Sequence, residues 1–488
     1  MKNYKTIREV HDAFDGGLTN PLALTQYYFA NIKKSSHNAF ITLCEERALK
    51  IAKKLTEDLV QTFGKKVPRV QHPLFGIPIG LKDLLTLEGV RTTCGSKMLE
   101  NYISPYTATA VQRLESAGAV ILGKLNLDEF GMGSSNENSA YGNVLHPTHL
   151  DRVPGGSSGG SATAVAADLC MATLGTDTGG SIRLPSSFCG IVGMKPTYGR
   201  ISRYGQVAFS SSLDQIGPLT KSVEDAALLC QVMSGKDAYD STTSDQVVEN
   251  WVQTVQNTAQ NSSGKGLRVG VPEEYFIDGI DLEVRAAIEE SIQKLKGSGA
   301  EIVPISLPHT RFAVATYYVV AVSEASSNLS RFDGVRFGVR PKEAMEAGSL
   351  EEFYKKVRAN FGPEVKRRII LGTFALSSGY YDAYFKKAGQ VRRLMRIDFE
   401  NAFQKVDVIV SPVSPTTAFK IGEKSKNPLA MYLTDIFTIP ASLAGLPAMS
   451  VPVGKDQQGL SIGLHLIAPR FQEKVLFQAA TLVERLSS

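Results

Sequence analysis

The chain has 488 residues, with 53 Lys and Arg against 48 Asp and Glu, a formal charge of +5. At 43% hydrophobic and 21% charged residues it carries too much apolar material to stay disordered, and its length allows one large α/β domain or two to three smaller ones. Five scattered cysteines (Cys44, Cys94, Cys170, Cys189, Cys230) with no CxxC pair exclude a disulfide framework and a zinc site, and no apolar run approaches the ~18 residues of a membrane span.

The first residues, MKNYKTIREV, have no apolar core behind them, so no secretory signal is expected and the cytoplasm is the expected compartment. Residues 1–65 read as a helical segment packed on the rest. Asn20-Pro21 is an N-cap followed by a first-turn proline, opening a helix to about Ser35, and apolar spacing continues the helical reading over 39–62. From Pro73 the texture changes to short apolar runs broken by glycine. Leu74–Leu81 reads as a strand, 107–117 as a helix and Val120–Leu122 as a short buried strand.

Glycine and serine then crowd into residues 123–220. Residues 155–199 hold only four charges, Asp168, Asp177, Arg183 and Lys195, yet interleave Val165, Leu169, Leu174, Ile182, Phe188 and Ile191. A flexible linker lacks such apolar residues, so the stretch reads as buried backbone in tight turns. Residues 236–266 are polar and unpatterned and read as a surface excursion. Leu267–Val271, an amphipathic helix over 281–296 (Val284, Ile288, Ile292, Leu295) capped by Gly297, and Ile302–Ile305 form a strand–helix–strand unit with parallel strands. Strands follow at Val406–Val410, 448–453 and 461–467, with a closing helix over 472–486. The fold expected is α/β, one large unit over 66–488 with helical decoration.

Several partial motifs fail on chemistry. Gly118–Leu125 nearly matches a phosphate loop, but Leu125 stands where Ser or Thr should hold magnesium. Asp177-Thr178-Gly179 has no second acidic triplet to share a proton with. His146-x-x-His149 is broken by Pro147 and lacks a third ligand. Lys366-Arg367-Arg368 and Arg392-Arg393-Arg396 read as solvated helix faces rather than a nucleic-acid stripe. Gly155-Gly156-Ser157-Ser158-Gly159 fits the GxSxG elbow, although no strand precedes it; a Ser-His-Asp hydrolase on Ser157 remains open.

A serine needs a base. No histidine lies between His149 and His309, which leaves lysine, and Lys82 ends the apolar run Gly76-Ile-Pro-Ile-Gly-Leu-Lys82-Asp83. In water only about 1 lysine in 2,500 is neutral at pH 7, a cost of ~4.6 kcal/mol that burial can offset.

Gly155–Ser161, Gly175-Thr-Asp-Thr-Gly-Gly-Ser181-Ile-Arg-Leu-Pro185 and the Lys82 strand together resemble the amidase signature family, and the resemblance spans nearly the whole chain. It implies a single domain around a central mixed sheet covered by helices on both faces. It also implies a triad of Ser181 as nucleophile, Ser157 as a bridging serine on a cis peptide, and Lys82 as terminal base. Thr178, Gly179 and Gly180 would offer backbone N–H groups as an oxyanion hole.

Gly131–Gly142, Leu371–Tyr384 and Met431–Pro440 are similar to the branch of that family serving tRNA-dependent amidotransferases. That resemblance implies free glutamine as substrate, held by Tyr318, Arg368 and Asp435. It implies partner subunits B and C in a heterotrimer, tRNA held mainly by B, no membrane, and no metal or cofactor on this chain, with ATP and magnesium on the partner. Glu-tRNA(Gln), or in some relatives Asp-tRNA(Asn), would be the species amidated. A stand-alone amidase with the same triad is the alternative.

Overall fold

In the computed structural model, which describes residues 4–261, 263–276 and 278–487, eleven strands form one sheet. They are β1 Phe40–Leu43, β2 Pro78–Lys82, β3 Val120–Leu125, β4 Ala172–Asp177, β5 Val192–Lys195, β6 Gln215–Thr220, β7 Arg268–Pro272, β8 Glu301–Ile305, β9 Val408–Pro412, β10 Ala448–Lys455 and β11 Ser461–Ile467. Their order is β1-β3-β2-β4-β6-β5-β10-β11-β9-β7-β8. Pairing is mixed: β2 runs parallel to β3 and β4, β7 parallel to β8 and β9, and the remaining pairs are antiparallel. This is the expected single α/β unit, its sheet flanked by helices. Residues 1–3 of the predicted N-terminal segment and residue 262 of the predicted excursion lie outside the described residues.

The strand–helix–strand unit forms as its periodicity dictates. β7 and β8 pair in register from Arg268↔Glu301 to Pro272↔Ile305, joined by the helix Leu282–Gly297 with Val284, Ile288, Ile292 and Leu295 buried. The cap falls one residue later than expected, on Ser298, and Gly299 takes the left-handed turn at φ +101°.

Five other expectations are corrected. Residues 40–43 are not helical: the β-branched and aromatic Phe-Ile-Thr-Leu forms β1, antiparallel to β3, and the helix starts only at Glu45. The N-terminal segment therefore contributes an edge strand to the central sheet. The strand predicted over Leu74–Leu81 begins at Pro78, because Gly76 (φ +72°) turns the chain. β3 runs on to Leu125, and β9 is displaced to Val408–Pro412. The polar stretch 236–266 contains the helix Trp251–Asn261, whose buried Trp251 packs on Phe477 and under the Arg200 guanidinium. Only Trp251, Thr254 and Val255 of that helix are buried, which is too narrow a stripe to register as a periodic pattern.

The parallel strands β2, β3 and β4 end at one edge of the sheet, so the loops that follow them converge there, as expected at the carboxyl ends of parallel strands. Successive side chains at the end of β2 point to opposite faces. Lys82 turns one way, and Asp83 turns to a buried ion pair with Lys124, Nζ to Oδ1 2.7 Å. Asp83 Oδ2 also accepts from Thr93 N (2.8 Å) and Thr93 Oγ1 (2.6 Å). Lys124→Met would leave that carboxylate buried without its cation. The expected loss is about 3–5 kcal/mol of stability, read from the midpoint of denaturant unfolding.

Candidate active site

Lys82, at the end of β2, is wholly buried. Its Nζ lies 2.7 Å from Ser157 Oγ, 2.9 Å from Ser158 Oγ and 3.4 Å from the Thr176 carbonyl. Burial pulls its pKa down to about 7 against the opposing pull of Asp128, Asp177 and Asp214. The Gly156–Ser157 peptide is cis. The two serines beside Lys82 differ. Ser158 Oγ donates on to Thr176 O (3.1 Å), whereas Ser157 Oγ has Lys82 as its only partner among the described residues. Ser157 is thus the hydroxyl with a proton left to exchange.

Ser181 follows β4 in the loop before the helix Arg183–Cys189, and its carbonyl accepts from Ser158 N at 3.2 Å. Ser181 is 8% exposed, against 1% for Ser157 and 0% for Lys82, so of the three it is the one an incoming molecule can touch. The loop is held from below. Asp177 takes Arg183 side-on (Nε–Oδ2 3.0 Å, Nη2–Oδ1 2.9 Å) and accepts from Ile182 N (3.1 Å). Burial would raise the Asp177 pKa, but the Arg183 charge and hydrogen bonds keep it below the usual carboxylate range. Arg183 is in turn fixed by Thr438 O, Ser442 Oγ and His465 Nε2. Thr178 Oγ1 donates to the buried Asp214 (2.7 Å). The N–H groups of Gly179, Gly180 and Ser181 donate to nothing among the described residues. Free adjacent donors beside a reachable hydroxyl can stabilise an oxyanion.

The glycine at 180 is required by packing: a Cβ there would stand 2.5 Å from Asp435 Oδ1 and 2.3 Å from Thr438 Oγ1. Asp435 therefore abuts the residue before Ser181. Its Oδ2 accepts from Ser134 Oγ, while Oδ1 is buried with no partner among the described residues. Burial raises its pKa to about 7. On the other side, Gly179 abuts the Tyr317 ring, and Tyr317 packs edge-on against Tyr318. Arg368 is buried with its guanidinium 5.3 Å from the Tyr318 ring centre, 5.9 Å from Tyr432 and 5.5 Å from Phe209. Its Nε donates to Glu364 Oε1 at 2.9 Å.

The fold thus gathers Lys82, Ser157, Ser181, Thr178, Gly179, Gly180, Tyr318, Arg368 and Asp435 around one site. Two expectations change. Arg368 and Arg392 are not solvated: Arg368 faces the site, and Arg392 donates to Leu443 O and Ser212. The elbow reading of Ser157 also fails, since no strand precedes it and its partner is a lysine. His149, the nearest histidine in sequence, is tied to Gln458 O, and His146 to Phe188 O. Gly118–Leu125 enters β3 rather than a phosphate loop. Among the described residues no three His, Cys, Asp or Glu side chains cluster as metal ligands, and no helix is long and apolar enough to cross a membrane.

Sequence reading did not single out Ser134, Glu364 or Tyr432. Glu364 was findable, because it stands four residues before Arg368 on the helix Pro363–Leu376.

Residues 23–477 match the amidase family. The A subunit of the glutamyl-tRNA(Gln) amidotransferase of Koribacter versatilis (strain Ellin345) is 52% identical over 485 residues, 99% of this chain and 98% of the relative. Its counterpart from Acidobacterium capsulatum is 57% identical over 419 residues, 86% of each chain. The crystal structure of the A subunit of the glutamyl-tRNA(Gln) amidotransferase from Thermotoga maritima superposes with a TM-score of 0.78 at 43% identity, covering 95% of this chain and 91% of that one. With the match running over most of its length and the lysine and two serines of the signature meeting at one sheet edge, the chain belongs to the amidase family.

Proposed function

We propose that this chain is the glutaminase component of a glutamyl-tRNA(Gln) amidotransferase, using Ser181, Ser157 and Lys82 to release ammonia from glutamine. Neutral Lys82 takes the proton of Ser157, which takes that of Ser181. The Ser181 oxygen attacks the side-chain carbonyl of glutamine, and the N–H groups of the Thr178–Ser181 loop receive the negative charge. The relayed proton returns to the leaving nitrogen, ammonia departs, and water hydrolyses the glutamyl ester to glutamate. The ammonia passes to the B subunit, which binds Glu-tRNA(Gln), ATP and magnesium; a small C subunit completes the complex, and Asp-tRNA(Asn) is a second candidate acceptor. This chain itself takes no metal or cofactor, and it works in the cytoplasm.

The observation that carries this reading is Asp435 Oδ1, unpartnered among the described residues and buried beside Gly180, with the buried Arg368 close enough for its charge to act on that carboxylate. An unpaired buried carboxylate oxygen is costly unless a cation completes it. The α-ammonium of a free amino acid supplies that cation, and its α-carboxylate suits the guanidinium fork. A simple apolar amide would satisfy neither. The strong full-length similarity to the A subunits of glutamyl-tRNA(Gln) amidotransferases supports the partnered role over a stand-alone amidase.

The test is purification from the native cell. Two co-purifying proteins, with ATP-dependent amidation of Glu-tRNA(Gln), are expected. Rapid turnover of small amides by the isolated chain with no co-purifying protein would overturn the reading.

The pH profile is also determined. Lys82, lowered to about 7, must be neutral to accept a proton, and Asp435, raised to about 7, must be ionised to hold an ammonium. Acid disables both. Below pH 7 log kcat/KM for glutamine is expected to fall with a slope approaching about 2, because it reports the free enzyme. Log kcat should fall with a slope of about 1, because the bound ammonium keeps Asp435 ionised and leaves Lys82 alone to titrate. Parallel slopes in steady-state assays would refute the assignment.

A further inference from the structure

We infer that Glu364 is a positioning residue that sets the specificity of the site for a substrate with a free α-carboxylate. The inference rests on the glutaminase reading above. Glu364 and Arg368 stand one helical turn apart on Pro363–Leu376, both turned inward and buried. The Glu364 carboxylate touches three groups. Oε1 accepts from Arg368 Nε at 2.9 Å and from Tyr432 OH at 3.3 Å, and Oε2 accepts from Arg367 Nη1.

The choice of Nε matters. A guanidinium presents two edges to a planar anion, one through Nε and one through its paired Nη groups. By taking Nε, Glu364 closes the first edge. The Nη groups of Arg368 make no hydrogen bond among the described residues, so the second edge is the one left for a two-point contact with a carboxylate.

The Tyr432 hydroxyl adds a second constraint. Its ring stacks on Tyr318 with centroids 3.8 Å apart and planes at 27°. Both rings lie within 6 Å of the guanidinium centre, at 5.3 and 5.9 Å. One carboxylate thus fixes the in-plane rotation of Arg368 and the placement of the aromatic pair beside it. These groups come from three separate segments, around 318, 364–368 and 432, and Glu364 bonds two of them.

Charge is consistent with the same role. Arg367 and Arg368 share one carboxylate, which leaves one positive charge unbalanced at this end of the site. A substrate carboxylate supplies the missing negative charge; a neutral ester or amide at that position does not.

The test uses the full chain purified with its partners, with ammonia release as the readout. The probes are glutamine and glutamine α-methyl ester, which keeps the ammonium and side-chain amide but loses the carboxylate. For Glu364→Ala we expect the glutamine KM to rise by about 10-fold or more, kcat to stay within about 3-fold, and the KM for the ester not to rise. Glu364→Gln keeps an oxygen for Arg368 Nε and should restore the glutamine KM to within about 3-fold of the parent.

Should Glu364→Ala not fold, Tyr432→Phe removes one hydrogen bond and keeps the stacked ring. A rise of about 2-fold or more in glutamine KM at constant kcat is expected. An unchanged glutamine KM in the variants, an equal KM rise for the ester, or failure of Glu364→Gln to restore binding would overturn the positioning role alone. A parent complex that turns over no glutamine would overturn the glutaminase reading and this inference together.

Discussion

Ser181→Ala is expected to lower glutamine hydrolysis by roughly 10⁴–10⁶-fold while leaving the protein as stable as its parent. The size follows from the absence of a substitute. Ser157, the other hydroxyl with a free proton, is 1% exposed and holds Lys82 Nζ, and Ser158 donates to Thr176 O, so neither can reach a bound amide. The free N–H groups at 179–181 remain in the variant and would still polarise the carbonyl, so residual turnover above the uncatalysed rate is expected. Stability should shift by no more than about 0.5 kcal/mol, because the Ser181 hydroxyl makes no hydrogen bond among the described residues and the loop is held by Asp177, Arg183 and Asp214. The check is a single-turnover ammonia assay alongside thermal melting. Turnover within tenfold of the parent at an unchanged Tm would remove Ser181 from the nucleophile role.

How far the sequence carried depends on how each segment is buried. The β7–helix–β8 unit is half-buried along its helix, so its period is visible and its bounds fell within a residue or two. The site region is different. Residues 153–165 and 170–189 are buried almost without exception, so no polar face contrasts with an apolar one, and β4, β5 and β6 leave no alternation to read. What is visible there is glycine, placed where Asp435, Thr438 and Tyr317 press on the backbone.

The lysine was accessible to chemical reasoning, because an apolar strand ending in lysine, with no histidine nearby, limits the choice of base. The clamp was not. Tyr318, Arg368 and Asp435 lie on a long helix, a second helix and a short 3-10 turn, with no spacing that relates them, and only the family resemblance singled them out. Arg368 looked like one of three consecutive surface cations. Its inward turn depends on the Glu364 partner and on the tyrosine stack supplied by segments over 40 residues away in each direction.

Lys82→Arg is expected to abolish turnover almost as completely, by on the order of 10⁴-fold, because the missing function is the loss of a proton rather than the possession of a charge. Burial brings the lysine to about 7, so near neutral pH a large share of molecules hold the free amine. A guanidinium keeps its proton throughout the range in which the protein is folded, and so would donate to Ser157 permanently and never accept. Arginine is also larger than the fully buried space at 82, so lost packing could imitate lost chemistry. Lys82→Met separates the two. It keeps the length and apolar stem of the side chain, removes the only partner that Ser157 Oγ has among the described residues, and relieves the burial of an amine. If Lys82 is the base, Lys82→Met loses turnover at an unchanged or higher Tm. Its residual kcat should no longer fall below pH 7, while kcat/KM retains the single limb due to Asp435. If instead the lysine serves only to hold the Ser157–Ser158 segment in place, the methionine variant should melt at a lower temperature and keep the kcat limb of the parent. The two roles predict opposite changes in both measurements, so one pH series with one melting curve decides between them.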